Sequence, residues 1–506
     1  MLRWIDNLLD RITMYRLVLY YLIVIILTAV GLSVANVLPY NPAMIVATSL
    51  YLVAGCWVTE WVFSHVFEVP YNIESSIITA LILALLINPA ANSHTFLFLT
   101  AAGGLAIASK YILNWRGKHI FNPAAIAVAL TAIGPEQSAS WWVGNTALLP
   151  VVAIGGLLIV RKIRRVQMAA VFFITAIAAT AWVSFLAHGD PTSSLDKVVL
   201  HSSLFFLGFV MLTEPLTAPV THNKQLWYAA LVGLLFPPQV HFGTLYSTPE
   251  LALIAGNIYA FIVSPRVKLL PRLVQKLTTG PMSGDFVFAM DKPFAYQPGQ
   301  YMEWTIAHPW PDSRGNRRSF TLASSPTEDN LRLGVKFYPK GSTFKEAMLT
   351  IDEKTRVSAG QVAGDFVMPK DTSKKLAFIA GGIGVTPFRS MIKYLVDIQQ
   401  QRDVVLLYSE KQPDAFVYRD VFDIAGIAGF ARPIYTITDP AQVPSDWQGQ
   451  TGIVSAEMIA SQIPDYKDRI FYISGPHGMV VATKDILKGI GVPSRHIKTD
   501  HFSGYA

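Results

Sequence analysis

The sequence is poor in charge and nearly free of cysteine. Only 15% of its 506 residues are Asp, Glu, Lys or Arg, whereas soluble globular proteins average about 25%. The single cysteine, Cys56, lies in an apolar run. One cysteine excludes an intramolecular disulfide, an iron–sulfur cluster held by cysteines and a cysteine-rich zinc site. We therefore expect no metal centre, and any redox chemistry must use organic cofactors.

The charge that is present is unevenly distributed. Residues 1–263 hold 22 charged side chains, whereas residues 264–506 hold 53. The formal net charge of +7 includes no basic block, so the composition gives no support for nucleic-acid binding. The contrast predicts a membrane domain followed by a water-soluble half.

The first half contains a series of apolar segments, although several fall short of the ~20 residues that span a bilayer. We count ten, at about residues 16–38, 42–63, 75–89, 94–113, 120–134, 147–160, 167–188, 198–214, 225–236 and 249–263. Ten spans place both termini on one side of the cell membrane. Lys and Arg are concentrated at the N-terminus, in every second loop and after the last segment, so the positive-inside rule predicts that both termini are cytoplasmic.

Two of the shorter segments end in similar turns, INPAAN (87–92) and MLTEPLTAP (211–219). The prolines of these turns, Pro89 and Pro215, each precede by 34 residues a proline that begins another segment. This spacing predicts two inverted five-helix repeats, with broken half-helices around a site in the membrane. Prolines that merely end helices would give the same spacing.

Two carboxylates lie in apolar surroundings, Glu60 and Glu214. Ionisable residues inside a membrane are candidates for function, and Glu214 lies within one of the repeated turns. Either residue could instead lie near the membrane surface or cap a helix. Both are therefore functional candidates with a structural alternative.

The turns FNPAAIAVAL (121–130), INPAAN and MLTEPLTAP resemble those of the flavin-bearing membrane subunits of the Rnf complex and of the sodium-pumping NADH:quinone oxidoreductase. Such subunits have ten helices in two inverted halves. They carry a flavin esterified to a threonine on the outer side and hold further flavin or quinone in the bundle. The resemblance implies FMN or riboflavin in the membrane domain, with Asn122 and Glu214 as cofactor-binding residues.

In those membrane proteins a Ser-Gly-Ala-Thr motif carries the flavin through a phosphoester on its threonine. Here the corresponding loop is WWVGNTALLP, with Thr146 in the place of that threonine. The resemblance thus implies covalent FMN at Thr146, with a flavin-attaching enzyme as a partner. Because Val143 and Asn145 replace the serine and the alanine, two alternatives stay open: a non-covalent flavin stacked on Trp141 and Trp142, and a Thr146 that only caps the next helix.

The second half changes its pattern twice. Residues 264–280 contain two prolines and a basic bias, which predicts an amphipathic linker along the inner membrane surface. Short alternating strands in residues 281–370 predict an antiparallel β-barrel. Residues 371–506 repeat a buried strand, a glycine turn and a helix, which predicts an α/β dinucleotide-binding domain. With an all-α transmembrane bundle in residues 1–263, the chain is predicted to be multi-domain.

Four short motifs in this half have the composition of phosphate or dinucleotide sites. They are RSFTLAS (318–324), GST (341–343), GGIGVTP (381–387) and SGP (474–476). Glycines let a backbone approach a pyrophosphate, and a following helix offers N–H groups and a positive dipole end. One glycine turn alone could be an ordinary strand-to-helix turn. In this order the motifs resemble the ferredoxin–NADP reductase family, which binds FAD on its barrel and NAD(P)H on its α/β domain.

That resemblance implies a role for each motif residue. Arg318 pairs with the FAD pyrophosphate, Phe320 packs on the isoalloxazine ring, and Thr321 donates a hydrogen bond near flavin N5. Ser474 replaces the family's cysteine beside the nicotinamide, so Thr321 and Ser474 are the catalytic candidates. Tyr505, in the terminal tail, could cover the flavin or remain in solvent. The other implied ligands of FAD and NAD(P)H are Ser324, Gly341, Ser342, Thr343, Gly381, Gly382, Gly384, Thr386, Pro387, Gly475 and Pro476.

The choice between NADH and NADPH stays open at the end of the strand VVLLYS. Glu410 there suits a pair of ribose hydroxyls, whereas Lys411 suits a 2′-phosphate. The two residues are adjacent in the sequence. We therefore predict an NAD(P)H site without a preference.

Together the two resemblances predict a membrane flavoprotein oxidoreductase. It would oxidise cytoplasmic NAD(P)H through FAD and pass electrons through membrane-bound flavin to an extracytosolic acceptor or to quinone. One alternative is a b-haem ferric reductase or NADPH oxidase, which needs paired histidines on facing membrane helices. His188 and His201 have a suitable separation, but HGDPTSSLD between them breaks the helix. The other alternative is a channel or transporter regulated by a fused reductase domain.

Overall fold

The computed structural model describes residues 5, 9, 12–67, 73–90, 93–115, 118–133, 139–264, 268–280, 282–309, 311–312, 316–339 and 341–502. Its contacts divide the chain into two compact units, Met1–Arg266 and Val267–Ala506. We call them the helical unit and the sheet unit.

The helical unit is built from apolar helices, several of which begin with proline, whose missing N–H is not needed in a first turn. Over the described residues the helices are α1 (Met14–Val34), α2 (Pro42–Val66), α3 (Ile73–Leu86), α4 (Ser93–Ile112), α5 (Pro123–Ile133), α6 (Leu149–Lys162), α7 (Val166–Leu186), α8 (Pro191–Leu200), α9 (Leu204–Phe206), α10 (His222–Leu235) and α11 (Pro249–Val263). A π-helical turn, Leu207–Met211, continues α9. Two short hairpins pair β1 (Asn114–Trp115) with β2 (Lys118–His119) and β3 (His241–Phe242) with β4 (Leu245–Tyr246).

Four helices in the described part of the chain are long and apolar enough to cross a membrane: α1, α2, Thr95–Ile112 within α4, and α7. A fifth span results if α8 and the α9–π segment, which meet at 59°, are one broken span. Each of the ten predicted segments coincides with helix, but α3, α5, α6, α10 and α11 are shorter than a span. These helices indicate that the chain is a membrane protein. The ten spans and the inverted repeat remain predictions.

The eighth predicted segment, residues 198–214, is wrong as a single helix. The helix breaks where Ser202 bonds the backbone on both sides: its Oγ donates to the Val198 carbonyl (2.5 Å) and accepts from the Leu204 N–H (3.2 Å). Such local side-chain bonds compete with the helical ladder. Gly144 packs against the break, because a Cβ there would lie 2.5 Å from the Ser202 carbonyl.

The sheet unit begins with antiparallel strands. They are β5 (Lys268–Leu269), β6 (Arg272–Gly280), β7 (Ser283–Ala289), β8 (Tyr301–Ile306), β9 (Arg317–Thr321), β10 (Asn330–Lys336) and β11 (Val357–Ala363), with α12 (Thr343–Thr350) before β11. They form two sheets, β10-β7-β6 and β5-β11-β8-β9. Phe288 and Leu333 of the first sheet share one core with Trp304 and Ala359 of the second. The antiparallel pairing is therefore present, and closure into one barrel remains a prediction.

The prediction that residues 264–280 form a linker is wrong, because β6 occupies most of them and pairs with β7. From Leu269 to Val274 buried and exposed residues alternate, which is the period of a strand. Leu269 and Leu273 belong to the core. The prolines and basic residues hid this alternation, so the antiparallel part starts before the predicted residue 281.

The remaining strands form one parallel sheet in the order β15-β14-β13-β12-β16-β17. They are β12 (Leu376–Gly381), β13 (Val404–Glu410), β14 (Arg432–Ile437), β15 (Gln450–Thr451), β16 (Ile470–Pro476) and β17 (Ile497–Phe502), with helices α13 (Thr386–Asp397), α14 (Arg419–Ile427), α15 (Ala456–Gln462) and α16 (His477–Gly489). Every residue of β12 and β13 is buried, as in a parallel sheet covered on both faces. The strand order reverses between β12 and β16, and open α/β sheets bind ligands at the carboxyl ends beside such a reversal.

Candidate functional site

Two predicted motifs meet at that reversal. β12 ends at Gly381, a 3-10 turn (Gly382–Val385) follows, and α13 begins at Thr386 with Pro387 in its first turn. The neighbouring strand β16 ends in the Ser474-Gly475-Pro476 turn. The fold therefore brings together, in one crevice, two motifs that are about 90 residues apart in the sequence.

The glycines are needed because the two turns nearly touch. A Cβ on Gly384 would lie 2.5 Å from backbone atoms of Ser474 and Gly475. Gly382 has φ +58°, a left-handed value that favours glycine. A Cβ on Gly381 would overlap the Met479 side chain. Packing of the two turns thus explains the glycines before any ligand is considered.

Ser474 gives the crevice an unsatisfied polar group. Its side chain is fully buried, and its Oγ has no hydrogen-bond partner within the described part of the chain. A buried hydroxyl without a partner costs about 1–3 kcal/mol, so this one fits a site where a ligand completes the bond. Thr386 differs, because its Oγ1 donates to the Ile383 carbonyl (3.1 Å) and closes the turn.

Strand β10 of the antiparallel part packs against the glycine turn. A Cβ on Gly334 would lie 2.7 Å from both the Thr386 methyl group and the Tyr418 hydroxyl. Lys336, two residues further along β10, places its Nζ 3.7 Å from where a Gly382 Cβ would be. The crevice is therefore bounded by both parts of the sheet unit, a feature that no single motif indicated.

Lys336 also engages one of the two residues considered for cofactor choice. Its Nζ lies 3.6 Å from Glu410 Oε2, and the Glu410 side chain is only 5% exposed. Burial raises the pKa of Glu410, and the positive charge of Lys336 offsets this in part. Lys411 is exposed. Glu410 thus forms an ion pair with Lys336, whereas the side chain of Lys411 is exposed to solvent.

The carboxylate of Asp312 lies among the residues predicted to bind the FAD phosphates. Arg318 lies 5.3 Å over the Phe344 ring, with its Nη2 3.5 Å from Asp312 Oδ1. The other oxygen of Asp312 accepts from the Thr343 N–H (3.2 Å) at the start of α12. A guanidinium and a helix N-terminus therefore converge on one carboxylate, and the same groups fit a phosphate. Sequence reasoning missed Asp312, which belongs to none of the motifs.

The other residues predicted to bind FAD near Arg318 differ in their contacts. Ser342 caps α12, because its Oγ accepts from the Lys345 N–H (3.3 Å). The Phe320 ring is 5.9 Å from the Phe344 ring. Thr321 is buried and lies opposite Tyr301 of β8. Gly341 is not crowded, since the nearest atom to a Cβ there would be 3.5 Å away.

Ser324, whose role at the cofactor stays a prediction, makes hydrogen bonds within the sheet unit. Its Oγ accepts from the Tyr296 hydroxyl (3.1 Å) and the Arg332 N–H (3.2 Å). Its carbonyl accepts from the Ser390 hydroxyl of α13 (2.6 Å). Ser324 therefore joins the antiparallel part to the α/β part. Tyr505 lies outside the described residues.

Buried ion pairs fix the two sides of the crevice. Arg389 of α13 donates to both carboxylate oxygens of Glu328. Burial opposes ionisation of Glu328, but the hydrogen bonds and charge of Arg389 outweigh it and lower the pKa of Glu328. Nearby, Asp285 accepts from Arg332 and from the Tyr418 hydroxyl (3.0 Å). These pairs therefore join the antiparallel strands to α13 and Tyr418.

In the helical unit, Asn122 and Glu214 are brought together from 92 residues apart. Asn122 Nδ2 donates to Glu214 Oε2 (2.9 Å), and the Thr217 hydroxyl donates to the same oxygen (2.9 Å). The Asn122 N–H donates to Asn257 Oδ1 (2.8 Å). The two predicted turns therefore build one polar cluster. Glu60 lies elsewhere, accepting from the Tyr111 hydroxyl (3.0 Å).

Thr146 lies in another part of the helical unit, at the break between α8 and α9. Its Oγ1 donates to the Leu200 carbonyl (2.9 Å) and is 3.0 Å from His201 Nδ1. The alternative that its side chain caps the next helix is wrong, because α6 begins at Leu149 after Leu148 without a side-chain cap. Thr146 is exposed, and its neighbours Gly144 and Asn145 line a shallow cleft.

The two tryptophans before Thr146 are not open for stacking. Trp141 Nε1 donates to Glu250 Oε2 (2.9 Å), and Trp142 Nε1 donates to the Ala84 carbonyl (2.9 Å). Both rings are buried in the core of the helical unit. They therefore support the bundle, and the expectation that they stack on a flavin is wrong.

The histidines do not favour the b-haem alternative. His65 and His94 lie at the ends of α2 and α4, and His222 is the first residue of α10. His188 and His201 lie just beyond helix ends. In the described ranges, no pair of histidines faces another from the middle of two helices.

Two family models match the sequence. Residues 138–264 match the "NQR2, RnfD, RnfE family" model, and residues 378–485 match the "Oxidoreductase NAD-binding domain" model. The first covers the Thr146 loop and Glu214 but not Asn122, and the second covers the glycine turn and Ser474 but not Arg318. The matches thus include part of each site described above.

Reductases are among the similar proteins. The glycine betaine monooxygenase reductase subunit of Chromohalobacter salexigens is 25% identical over 221 residues, which are 43% of this chain and 59% of that protein. The NADPH oxidoreductase of Mycobacterium tuberculosis is 29% identical over 208 residues, 40% of this chain and 51% of that protein. The chain thus spans little more than half the length of these curated relatives.

Solved structures are similar at lower identity. The cytochrome P450 reductase GcoB of Amycolatopsis gives a TM-score of 0.41 at 20% identity, covering 47% of this chain and 71% of that one. The FAD/NAD-binding domain of nitric oxide dioxygenase from Vibrio cholerae gives 0.41 at 20% identity, covering 46% and 98%. Over two separate parts of its length, the chain thus matches the NQR2, RnfD, RnfE family model and the oxidoreductase NAD-binding domain model.

Proposed function

We propose that the chain is a membrane-bound NAD(P)H-dependent flavin oxidoreductase. Electrons from cytoplasmic NAD(P)H pass through FAD in the sheet unit and flavin in the helical unit to an extracytosolic acceptor or to quinone. The observation that carries this proposal is the meeting of the glycine turn with the Ser474 turn at the reversal of strand order. A second anion site at Arg318 gives the sheet unit places for two phosphate-bearing cofactors.

The residues of the sheet unit have distinct tasks in this proposal. FAD, when bound, supplies hydride acceptance and the release of electrons one at a time. Arg318 and the N-terminus of α12 hold its pyrophosphate, which takes the place of the Asp312 carboxylate. The Gly381–Gly384 turn admits the dinucleotide backbone, and the Ser474 hydroxyl makes its missing hydrogen bond to the nicotinamide.

The helical unit provides the path across the membrane. With both termini cytoplasmic, the Thr146 loop faces outward, where the FMN phosphoester would be attached to the exposed hydroxyl beside His201. The cluster of Asn122, Glu214 and Thr217 offers amide, hydroxyl and carboxylate groups to a further flavin or quinone. The helical unit is thus the electron conductor, and lipid and a flavin-attaching enzyme are its partners.

Counting flavins in the full chain from its native host tests this proposal. We expect one extractable FAD and at least one further flavin, with an FMN-sized added mass that disappears in Thr146→Val and persists in Thr192→Val, an exposed threonine of α8. One FAD as the sole flavin would favour the regulated channel. A Soret band in the purified protein would favour the b-haem alternative.

A further inference from the structure

One tyrosine of the sheet unit has a backbone conformation that bulky residues rarely adopt. Tyr418, the residue before α14, has φ +62°, in the left-handed region. Its carbonyl accepts from the Val421 N–H (3.1 Å) and the Phe422 N–H (3.3 Å), so the strained residue begins the helix. The side chain is buried, with 7% of its surface exposed. Strain of this kind persists where the surrounding contacts compensate for it.

The compensating contacts of Tyr418 lie in the antiparallel part. Its hydroxyl donates to Asp285 Oδ1 (3.0 Å), on a carboxylate of β7 that is fully buried. Arg332 of β10 donates to the other oxygen of Asp285 (2.8 Å) and lies over the Tyr418 ring, 5.9 Å from its centre. Burial and the negative charge of Asp285 raise the pKa of Tyr418 well above its usual range, so the hydroxyl stays a neutral donor. A side chain of the α/β part therefore completes a buried cluster of the antiparallel part.

Tyr418 also packs, through β10, against the glycine turn. Gly334 of β10 lies between the Tyr418 hydroxyl and the Thr386 methyl group, since a Cβ on Gly334 would be 2.7 Å from each of them. Arg389, on the helix that follows the turn, lies over the Tyr418 ring, 5.5 Å from its centre. Close packing of this kind transmits a displacement from one element to the next. The position of the Tyr418 ring and hydroxyl thus determines how closely β10 approaches the turn.

We propose that Tyr418 is a positioning residue that holds the flavin-binding strands at a fixed distance from the glycine turn, a role that rests on the function proposed above. Strand β10 is joined to the predicted FAD motif, because the Ala323 N–H donates to the Arg332 carbonyl (2.9 Å). A shift of β10 would therefore change the distance between the two cofactors, and a misplacement of about 1 Å can slow a reaction roughly 100-fold. The hydrogen bond from Tyr418 to Asp285 thus controls the rate of hydride transfer without contributing to the binding of either cofactor.

Tyr418→Phe in the full chain tests this role, because it removes the hydroxyl and keeps the ring. Tyr435→Phe is the matched control: the Tyr435 hydroxyl also donates to an aspartate, Asp423 (2.6 Å), and Arg419 lies over its ring at 4.7 Å, but all three residues belong to the α/β part. Stopped-flow absorbance measures FAD reduction at saturating NADH or NADPH. We expect a roughly tenfold slower reduction in Tyr418→Phe, with the Kd of FAD and of the dinucleotide unchanged, and no change of rate in Tyr435→Phe.

Hydrogen–deuterium exchange of the FAD-free chain supplies a measurement that needs no cofactor. We expect faster exchange in β10 and in the Gly382–Val385 turn of Tyr418→Phe, and unchanged exchange there in Tyr435→Phe. Unchanged FAD reduction in Tyr418→Phe would overturn the proposal, and so would slower reduction without faster exchange or with a raised dinucleotide Kd. If the unchanged chain reduces FAD with neither nucleotide, the proposed function fails instead, and the exchange rates still show whether Tyr418 fixes β10 against the turn. Circular dichroism confirms that both variants are folded.

Discussion

The two units bury polar groups in different ways. In the sheet unit, charges are buried as direct pairs, such as Arg389 with Glu328. In the helical unit, Glu214 is held by the neutral side chains of Asn122 and Thr217. A buried ion pair fixes the positions of its two side chains. Removing one partner leaves the other charge unpaired and destabilises the fold. Lys110 and Arg165 also lie close enough for their positive charges to act on Glu214, so this carboxylate does not depend on one partner. The contrast predicts that removing one partner destabilises the sheet unit more than the helical unit.

Arg389→Met should have the largest effect, because it leaves the Glu328 carboxylate, whose side chain is only 20% exposed, without its buried cation. Breaking a buried pair costs about 3–5 kcal/mol. The free energy of unfolding of the sheet unit in urea, with the release of FAD as the signal, measures this loss. The control is Lys393→Met on the same helix, whose own side chain is more exposed than that of Arg389, and which should cost at most about 1 kcal/mol. Equal losses in the two variants would contradict the greater cost of breaking the buried pair.

Arg318→Ala should weaken FAD binding. The lost charge-assisted hydrogen bond is worth about 1.5–3 kcal/mol, or roughly a 10- to 150-fold higher Kd. Asp312→Asn should act in the opposite direction, because it removes the carboxylate that competes for Arg318 and the α12 N-terminus. Titration of the FAD-free protein with FAD measures both. Arg317→Ala, beside it on β9, is the control and should leave the Kd unchanged.

Gly384→Ala should abolish NAD(P)H oxidation while leaving FAD bound. Its Cβ would overlap the Gly475 backbone, and overpacking of this kind costs about 1–3 kcal/mol. Steady-state reduction of ferricyanide by NADH and NADPH measures the activity. Gly489→Ala, where a Cβ would meet nothing within 4 Å, is the control. Retained activity in Gly384→Ala would show that the two turns do not form the dinucleotide site.

Asn122→Ala should affect the helical unit alone. Removing a hydrogen bond to Glu214 costs about 1 kcal/mol, which corresponds to a roughly fivefold weaker affinity for a flavin or quinone bound at this cluster, so electron delivery to an acceptor across the membrane should fall. Ferricyanide reduction at the sheet unit should not change. Thr28→Val, a half-buried position on α1, is the control. An equal fall in both activities would place the cluster outside the electron path.

The smallest effect is expected at a partly exposed ion pair of the sheet unit. Hydrogen bonding from Arg469 lowers the pKa of Asp465 to about 2. Because this pKa lies below the ordinary 3.8, the stabilisation is present above about pH 4 and is lost as the pH falls toward about 2. Asp465→Asn should therefore cost at most about 1 kcal/mol near neutral pH, and the difference from the unchanged chain should vanish once Asp465 is protonated. A difference independent of pH would contradict this origin.

The parts of the site that the sequence predicted are those encoded by consecutive residues. The glycine turn, the Ser474 turn and the start of α12 each need a fixed local backbone, so their motifs indicated both their structure and their place. Contacts between distant segments were not visible, because no local pattern encodes them. The Asp312 carboxylate at Arg318 and His201 beside Thr146 are of this kind. β6 was missed because the prolines and basic residues indicated a linker. The alternation of buried and exposed residues that indicates a strand is only a few residues long.

Electron transfer across a sealed membrane tests the central claim most directly. The full chain is reconstituted into proteoliposomes that contain trapped ferricyanide, which does not cross the bilayer, and NADH or NADPH is added outside to the chains whose sheet unit faces outward. The account predicts that the trapped ferricyanide is reduced, and that Thr146→Val slows this reaction without slowing reduction of ferricyanide added outside. If external ferricyanide is reduced while the trapped pool stays oxidised, the helical unit does not conduct electrons and the account is wrong.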